Sequence, residues 1–276
     1  MNLIIQGMEV ENRDLRELAK LAGANQIERI TGQAFRLKNA SRRAHVPEYC
    51  AEAELDFAFV DPMVSLAEFG LVAMDMDSTL LAIESIDEVA DMQGIKAQVA
   101  EITQRTMRGE IVFAESLRQR TALLKDLDQD ALQYVYDHRV RLSPGAEKML
   151  QRMKSAGLKT MVISGGFTFF TERIKSRLSL DYAAANTLDI QDGKLTGKVL
   201  GEIIGAHGKA EVLNKVREEL GLKREQLIAI GDGANDLGMM EAAGVSIAYH
   251  AKPVVQARAT YAINYVGLDG IANLFE

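Results

Sequence analysis

The sequence predicts an α/β protein with a Rossmann-like parallel sheet core, an inserted helical cap and a small α+β domain at the N-terminal end. Three observations support this class. Apolar runs at 71–74, 159–163 and 227–230 each lead into polar residues, as expected for strands buried on both faces of a parallel sheet. Helical patterns separate the second and third runs, as in other α/β folds. After the first run about sixty residues are helical throughout, which indicates an insertion.

Residues 1–66 are predicted to form a small α+β domain of unknown role. Strands are expected at 3–5 and 54–60, and a helix from Asn12 to about Gly23. The stretch 27–37 is predicted to be extended. No catalytic set of residues lies here, so the domain is either a regulatory or assembly module or a packing appendage.

Residues 67–276 are predicted to form the catalytic domain, with the helical cap at about 83–140. Such a block, inserted just after one strand of a site, is well placed to act as a lid. The expected cap helices are 83–92, 95–107, 113–125 and 129–137. Beyond the cap we expect helices at 144–154, 169–178 and 207–220, a hairpin at 182–199, and strands at 245–249 and 261–264.

Composition indicates a globular enzyme. The 276 residues are 47% hydrophobic and 26% charged, which is ordinary for such proteins. The net charge of −7 argues against a nucleic-acid partner and an anionic membrane surface, because both need a basic face. Cys50 is the single cysteine, so no internal disulfide is expected. With no signal-peptide pattern and no apolar run of about 18 residues, we expect a cytoplasmic protein; a homodimer is compatible with the sequence.

Two aspartates follow the first apolar run directly. Asp75 and Asp77 are two residues apart, so in extended geometry their side chains lie on the same side of the chain. Burying two like charges is costly unless a cation lies between them, and oxygen ligands suit magnesium. An Asp-rich turn that only caps the strand, or the Asp-x-Asp motif of a nucleotide-sugar transferase, stays open on this stretch alone. A calcium loop fits poorly, because Leu80 and Ile86 replace its Gly and Glu.

Polar residues also follow the other two apolar runs. Ser164 follows the second run, and Asp232 and Asp236 follow the third. Ligands of open α/β sheets bind at the carboxyl ends of the strands, so we expect these groups to share one site with Asp75 and Asp77. Carboxylates, a divalent cation and a lysine are a recurring set for phosphoryl transfer. One Asp can attack phosphorus, and another can protonate the leaving oxygen and then activate water.

Lys209 is the candidate lysine, although a single lysine near a helix start is usually a solvated surface residue. It does not belong to a nucleotide-binding P-loop, because Ile203 and Ala210 replace the Gly and the Ser or Thr of that motif. The four histidines offer no alternative site, since no metal-ligand spacing joins them.

These motifs resemble those of the haloacid dehalogenase-like phosphohydrolases in residue type and in order. The matching stretches are Asp75-Met76-Asp77-Ser78-Thr79, Ser164, Lys209 and Gly231-Asp232 through Asp236. Within that superfamily, residues 70–275 look like the phosphoserine phosphatases, through the further stretches Glu84-Ser85-Ile86-Asp87-Glu88, Ser116-Leu117-Arg118-Gln119-Arg120, Ser164-Gly165-Gly166-Phe167 and Gly233-Ala234-Asn235. The resemblance implies a magnesium-dependent enzyme that hydrolyses O-phospho-L-serine, the last step of serine biosynthesis, through an aspartyl-phosphate.

The resemblance also implies a role for each site residue. Asp75 would be the nucleophile, and Asp77 the general acid and base. The phosphoryl and substrate ligands would be Ser164, Gly165, Lys209 and Asn235, and the magnesium ligands Asp75, the Asp77 backbone carbonyl and Asp232, with Asp236 in support. From the cap, Glu84 and Arg120 would bind the ammonium and carboxylate of the substrate, a pairing that a specific site needs. The residues alone do not distinguish Arg120 from Arg118.

Two other functions stay open. A related phosphatase or phosphotransferase would act on another phosphate ester, and Glu84 and Arg120 would then not contact the substrate. A non-catalytic sensor of phosphoamino acids, with residues 1–66 as its signalling module, would have no need of the Asp75 and Asp77 pair. For an enzyme, we expect the cap to open for exchange and to close for chemistry, which excludes water.

Overall fold

The computed structural model describes residues 1–108 and 110–275. Its N-terminal part is an antiparallel sheet with helices packed on one face. The elements are β1 (Asn2–Gln6), α1 (Asn12–Ala22), β2 (Gln26–Arg29), β3 (Ala34–Lys38), α2 (Val46–Glu52) and β4 (Asp56–Val60). The strand order is β2-β3-β1-β4. Side chains alternate along β1, so Leu3 and Ile5 pack against Leu15 and Leu18 of α1, whereas Ile4 points to the opposite face.

The structure differs from the sequence prediction at two places in this part. The stretch 27–37, predicted to be extended, is split between β2 and β3 by a turn at 30–33. The turn closes because the amides of Ile30 and Thr31 both donate to the carbonyl oxygen of Ala34, at 2.9 and 3.1 Å. The sequence also does not predict α2, because Val46 and Cys50 are too few buried positions for helical periodicity to show.

The following residues form a larger sheet. Its strands are β5 (Leu71–Met74), β6 (Lys159–Phe167), β7 (Tyr182–Gln191), β8 (Lys194–Leu200), β9 (Leu227–Gly231), β10 (Val245–Tyr249) and β11 (Tyr261–Ile263). They lie in the order β11-β10-β9-β5-β6-β7-β8. Neighbours are parallel except β7 and β8, which form a hairpin around Asp192-Gly193. The predicted α/β class, with a large parallel sheet and a small α+β part before it, is therefore confirmed.

Strand β5 is the centre of this sheet, between β9 and β6. Leu71 pairs in parallel register with Leu227 on one side and Lys159 on the other. All residues of β5 are 0% exposed, because both faces of the sheet are covered, and a strand in that position must be apolar throughout. The strand order brings the carboxyl ends of β5, β6 and β9 to one edge.

Helices surround the larger sheet. They are α3 (Ser85–Asp91), α4 (Lys96–Met107), α5 (Phe113–Ala122), α6 (Asp130–His138), α7 (Ala146–Ser155), α8 (Thr168–Leu178), α9 (Ala206–Glu219), α10 (Leu237–Ala242) and α11 (Pro253–Gln256). The first five lie between β5 and β6, and the first four of these fall where the inserted block is predicted. The guanidinium of Arg139, just after α6, binds Glu88 at 2.8 Å and Asp91 at 2.6 Å on α3. The domain boundaries at 66/67 and the cap limits of about 83–140 stay predictions.

The open face of the N-terminal sheet packs against the larger part. Ile4, Ala58 and Val60 belong to the same buried cluster as Phe69 and Phe275. The rings of Phe69 and Phe275 meet edge to face with centroids 5.1 Å apart. We call the whole contact between the N-terminal sheet and the larger part of the chain the seam. Among the described residues, no helix is both long and apolar enough to cross a membrane.

Candidate active site

The chain turns sharply after β5, and this turn orients both predicted acids. Asp75 follows the strand directly, and its carboxylate accepts a hydrogen bond from the amide of Met76 at 2.7 Å. Ser78 has a φ of 55°, a left-handed conformation that few residues other than glycine adopt. The turn brings Asp77 to the start of α3, where the amide and the hydroxyl of Ser85 both donate to its carboxylate at 3.0 Å.

Lys209 is a buried cation at this edge of the sheet. Its side chain is 0% exposed, and Nζ lies 2.7 Å from Asp75 Oδ1 and 2.7 Å from Asp236 Oδ1. The first turn of α9 carries it there. A buried ammonium is tolerated only when carboxylates compensate for its lost hydration. Lys209 therefore does not lie at the solvated surface, where a single lysine near a helix start is usually found.

Asp232 and Asp236 follow β9 and play different structural parts. Asp236 Oδ2 accepts hydrogen bonds from the amides of Asp232 and Gly233 at 3.1 and 3.0 Å. Both oxygens of Asp236 are thus engaged, one by these amides and one by Lys209. Asp232 accepts a hydrogen bond from the Thr79 hydroxyl at 3.0 Å through Oδ1. Asp236 shapes the turn and holds the lysine, while Asp232 lines the cavity described below.

The stretch from Ser164 to Gly166 is an irregular part of β6, where the pairing register with β7 shifts. The Gly166 amide donates to the Ser164 hydroxyl at 2.9 Å. A Cβ atom on Gly166 would lie 2.9 Å from Asp77 Oδ2, so glycine is required for this close approach. A Cβ atom on Gly165 would lie 2.8 Å from the ring of Phe113. Phe113, the first residue of α5, therefore packs directly over this loop.

These groups line one cavity of about 550 Å³ between the sheet edge and the cap helices. The sequence-predicted residues that line it are Asp75, Asp77, Glu84, Arg120, Ser164, Gly165, Asp232 and Asn235. Lys209 and Asp236 do not line the cavity; they are fully buried behind Asp75. The structure thus brings all of the predicted site residues to one place.

The cap side of the cavity carries one acid and one base. Glu84 accepts a hydrogen bond from the Ser78 hydroxyl at 2.7 Å. Arg120 faces the cavity from α5, whereas Arg118 on the same helix is exposed to solvent. The Nε atom of Arg120 is buried, and it has no hydrogen-bond partner among residues 1–108 and 110–275. The geometry therefore distinguishes the two arginines, which the residues alone did not.

Burial dominates the protonation of the acids. It raises the pKa of Asp77 to about 7, and the nearby Glu84 carboxylate adds to the effect. Burial and the Asp236 carboxylate raise the pKa of Asp232 to about 6, and they raise the pKa of Asp75 well above its ordinary value. Asp75 and Asp236 both lie within 2.7 Å of the ammonium of Lys209. Burial alone would lower the pKa of Lys209, but Asp236 and Asp75 outweigh it and raise that pKa.

The excess of buried negative charge fits a divalent cation. One carboxylate oxygen from each of Asp75, Asp232 and Asp236 lies within 4.8 Å of the others. Oxygen donors of this kind suit hard cations such as magnesium. A cation between these oxygens would also favour their ionised forms, which burial alone disfavours.

Sequence reasoning missed several residues that support the site. Thr79 and Ser85 lie inside quoted motifs, so the motifs themselves were the available signal. Asn186, 1% exposed, donates from Nδ2 to the Gly165 carbonyl at 2.9 Å and accepts from the Ile204 amide at 2.7 Å. It ties the Ser164 loop to the segment before Lys209. No sequence signal marks it, because its position on β7 looks like any strand residue.

Comparisons with known proteins place the chain in a family. A family model described as haloacid dehalogenase-like hydrolase matches residues 69–244. A second family model, for a domain of unknown function (DUF4072), matches residues 3–46. The chain belongs to the haloacid dehalogenase-like hydrolases.

Individual relatives narrow this assignment. A phosphoserine phosphatase from Polaromonas sp. (strain JS666) is 50% identical over 218 residues, which cover 77% of this chain and 92% of that protein. The unliganded structure of a probable phosphoserine phosphatase from Vibrio cholerae has a TM-score of 0.87 at 36% identity and covers 99% of this chain and 86% of that one. An HAD family hydrolase from Salmonella enterica serovar Typhi has a TM-score of 0.91 at 34% identity, covering 100% and 99%. Within the hydrolases, the chain belongs to the family of the phosphoserine phosphatases.

Proposed function

We propose that this chain hydrolyses O-phospho-L-serine to L-serine and phosphate, the last step of serine synthesis. The observation that carries the proposal is the pairing of two sets of groups in one cavity. Asp75 and Asp77 lie at its sheet edge, and Glu84 and Arg120 face it from the cap side. The first pair suits a phosphate ester, and the second suits the ammonium and carboxylate of an amino acid.

Asp75 is the nucleophile in this proposal. One of its carboxylate oxygens attacks phosphorus and forms an aspartyl-phosphate, while the bond from phosphorus to the serine oxygen breaks. The leaving oxygen takes a proton from Asp77, whose pKa of about 7 leaves a substantial protonated fraction near neutral pH. Water then attacks the aspartyl-phosphate and gives its proton to Asp77, which restores both carboxyl groups and releases phosphate.

The remaining groups hold the phosphoryl oxygens and the acids in place. The Ser164 hydroxyl and the Gly165 amide lie at the loop beside Asp77, and Asn235 lines the cavity next to Asp232. Lys209 supplies positive charge behind Asp75 at 2.7 Å. Fixed donors aimed at developing charge are a large part of enzymatic rate enhancement.

A magnesium ion would be held by Asp75, Asp232 and the backbone carbonyl of Asp77, with Asp236 supporting the turn. When bound, such an ion neutralises phosphoryl oxygens and withdraws charge from phosphorus. This chain's own part is to orient those oxygen donors: Thr79 fixes Asp232 at 3.0 Å, and Lys209 fixes Asp75.

Arg120 accounts for amino-acid selectivity. Burial lowers the pKa of Arg120, against the opposing effect of Glu84 and Asp87, because the charged guanidinium is poorly hydrated. A substrate carboxylate would compensate for this lost hydration, and Glu84 would bind the substrate ammonium. A phosphate ester that lacks either ion leaves a charge unpaired, which costs a few kcal/mol and discriminates strongly.

Three further parts of the proposal concern the whole protein. The cytoplasmic location rests on Cys50, a lone buried thiol suited to a reducing compartment. A homodimer would use the free edge of β2, where Ile27 is 41% exposed. Residues 1–66 are proposed as a separate domain, and about 83–140 as the cap that closes over substrate.

Phosphate release from O-phospho-L-serine with magnesium tests the proposal. We expect selective turnover that Asp75→Asn abolishes, with phosphothreonine and a sugar phosphate as comparison substrates. Asp137→Asn is the matched control, because Asp137 is exposed at the end of α6 and, in the described part of the chain, accepts hydrogen bonds from Gln133. Preferred turnover of the sugar phosphate would contradict the amino-acid assignment. No turnover of any substrate would favour the sensor.

A further inference from the structure

Asp56 is a buried carboxylate that the proposed reaction does not use. It begins β4 and is 2% exposed. Its Oδ1 accepts a hydrogen bond from the amide of Asn264 at 2.6 Å, and its Oδ2 accepts from the amides of Tyr265 and Val266, each at 3.0 Å. The acceptor lies in the N-terminal sheet, and the donors follow β11 in the larger sheet. These three hydrogen bonds therefore cross the seam.

The segment that Asp56 holds is itself bonded to a turn at the end of β10, His250–Lys252. The amide of His250 donates to the Ile263 carbonyl at 2.7 Å, and its ring Nε2 lies 3.2 Å from the Val266 carbonyl oxygen. His250 has a φ of 44°, a conformation that costs free energy for a residue with a side chain. Such a turn persists only when its surroundings hold it. Ile263, the last residue of β11, and Val266, in the 264–266 segment, supply that support.

A second set of hydrogen bonds runs parallel to the first. Nε2 of Gln256 donates to the Ala251 carbonyl at 2.7 Å, inside the same turn. Oε1 of Gln256 accepts from Nδ2 of Asn264 at 3.4 Å. Asn264 thus contacts Asp56 through its backbone and the turn through its side chain. The two routes are independent except at their ends.

The turn reaches the candidate active site through one backbone contact. The amide of Lys252 donates to the carbonyl oxygen of Asp232 at 3.2 Å, and Lys252 also lines the active-site cavity. Asp232 carries one of the three oxygens that lie within 4.8 Å of one another. A shift of the turn would therefore displace the backbone of Asp232.

We propose that Asp56 is a positioning residue for this site. By holding the 264–266 segment, it fixes the His250–Lys252 turn and, through the Lys252 amide, the orientation of Asp232. The N-terminal part of the chain then has a defined role: it completes the rigid support of a metal-binding aspartate. The catalytic consequence rests on the proposed function, whereas the mechanical connection does not.

Asp56→Asn in the full chain tests the connection. The amide NH₂ of asparagine would face backbone N–H groups, so at least one of the three donors loses its acceptor. By hydrogen exchange, we expect faster exchange of the 264–266 amides and of the Lys252 amide.

By calorimetry, we expect that Asp56→Asn binds magnesium about tenfold more weakly, the lower end of the effect of disturbing groups that orient metal ligands. We expect kcat to fall similarly while KM for O-phosphoserine stays near the wild-type value, because Glu84 and Arg120 lie on the cap.

Gln6→Met is the matched control. Gln6 is also buried in the seam, opposite Asp56 in the register of β1 and β4. Its side chain accepts a hydrogen bond from Asn273 at 2.9 Å and makes none of the hydrogen bonds to the 264–266 segment described above. We expect it to lower the melting temperature and to leave Lys252 exchange and magnesium affinity unchanged. Equal loss of magnesium affinity in Gln6→Met and Asp56→Asn would overturn the proposal, because the cause would then be general loosening.

Three further outcomes bear on the proposal. Fast exchange at 264–266 in Asp56→Asn, with wild-type exchange at Lys252 and wild-type magnesium affinity, would overturn it. If Asp56→Asn does not fold, Gln256→Met takes its place, since it removes the hydrogen bonds of the second route and keeps the three that Asp56 accepts. Wild-type exchange at Lys252 would then count against the connection. If the wild type fails to hydrolyse O-phosphoserine, the proposed function fails, and exchange at Lys252 still tests the role of Asp56.

Discussion

Asp56 at the seam and Asp77 at the site are both buried aspartates, and their surroundings differ in one decisive respect. Burial raises the pKa of Asp56, and three backbone amides oppose that shift. Asp77 has two donors, both from Ser85, and a second carboxylate, Glu84, nearby; its pKa reaches about 7. The Asp56 carboxylate accepts hydrogen bonds from three backbone amides. The Asp77 carboxylate has a like-charged neighbour, Glu84, that repels it.

The difference separates a structural role from a chemical one. Donors that surround a carboxylate offset the cost of burying it and hold it in one place. Like charges around a carboxylate add to that cost, and such an arrangement persists where function needs it. Asp56 is expected to stabilise the folded chain, whereas the acids at the end of β5 are expected to destabilise it until a cation or substrate arrives.

The largest expected effect comes from Asp77→Asn. Loss of the general acid and base should lower kcat by about 10²- to 10⁴-fold. At pH 8 the same change should raise the stability of the metal-free chain, because it removes a buried charge while Ser85 keeps hydrogen-bond partners. Asp56→Asn should lower stability under the same conditions. Urea unfolding of both variants checks the pair, and a loss of stability in both would remove the distinction between the two aspartates.

Arg120→Lys gives an intermediate effect on the cap side of the site. A lysine keeps the charge but loses the two-pronged geometry that suits a carboxylate. We expect kcat/KM for O-phosphoserine to fall about 10- to 100-fold, the weight of hydrogen bonds between charged groups. Phosphoethanolamine, which has no carboxylate, should lose much less. Steady-state kinetics on both substrates measures this difference.

Arg118→Lys is the control for that experiment, because Arg118 lies on the same helix and is exposed. It should leave both substrates unaffected. An equal loss on phosphoserine and phosphoethanolamine in Arg120→Lys would contradict a carboxylate contact and would place Arg120 in a packing role.

The sequence predicts the site better than the seam, for a physical reason. Asp75, Ser164 and Asp232 follow apolar runs, and the topology of a parallel sheet brings such positions together whatever the loops do. Asp56 has no such marker. It meets Asn264 from 208 residues away, and its partners are backbone amides, which every residue has. A contact made through the backbone leaves no trace in residue type.

Contacts between residues distant in sequence also explain why the sequence alone did not show the burial of Lys209 or distinguish Arg120 from Arg118. Lys209 looks like a surface lysine because its charge partners, Asp75 and Asp236, are distant in sequence and only the fold pairs them. Arg118 and Arg120 are both charges on one helix, and their roles separate only when the packing of α5 decides which one faces the cavity.

The smallest expected effect is a dependence of stability on pH in the metal-free chain. The pKa values of Asp77 and Asp232, about 7 and about 6, lie above the value of 3.8 for an unperturbed aspartate. Between pH 4 and pH 7 the folded state therefore binds more protons than the unfolded state, and stability from these groups falls as pH rises. Above about pH 7 the loss is complete.

Melting temperatures of the wild type and Asp77→Asn, measured from pH 5 to pH 8 without metal, isolate the contribution of Asp77 to this pH dependence. The two chains share all other titratable side chains. The advantage of Asp77→Asn should grow with pH and reach a few degrees at pH 8, where about 1 kcal/mol corresponds to 2–4 °C in a chain of this size. Magnesium should raise the wild-type melting temperature more at pH 8 than at pH 5, since protons compete with the cation for the same oxygens. A difference that shrinks as pH rises would mean that the fold stabilises Asp77 in its ionised form, and it would contradict the raised pKa of this carboxyl group.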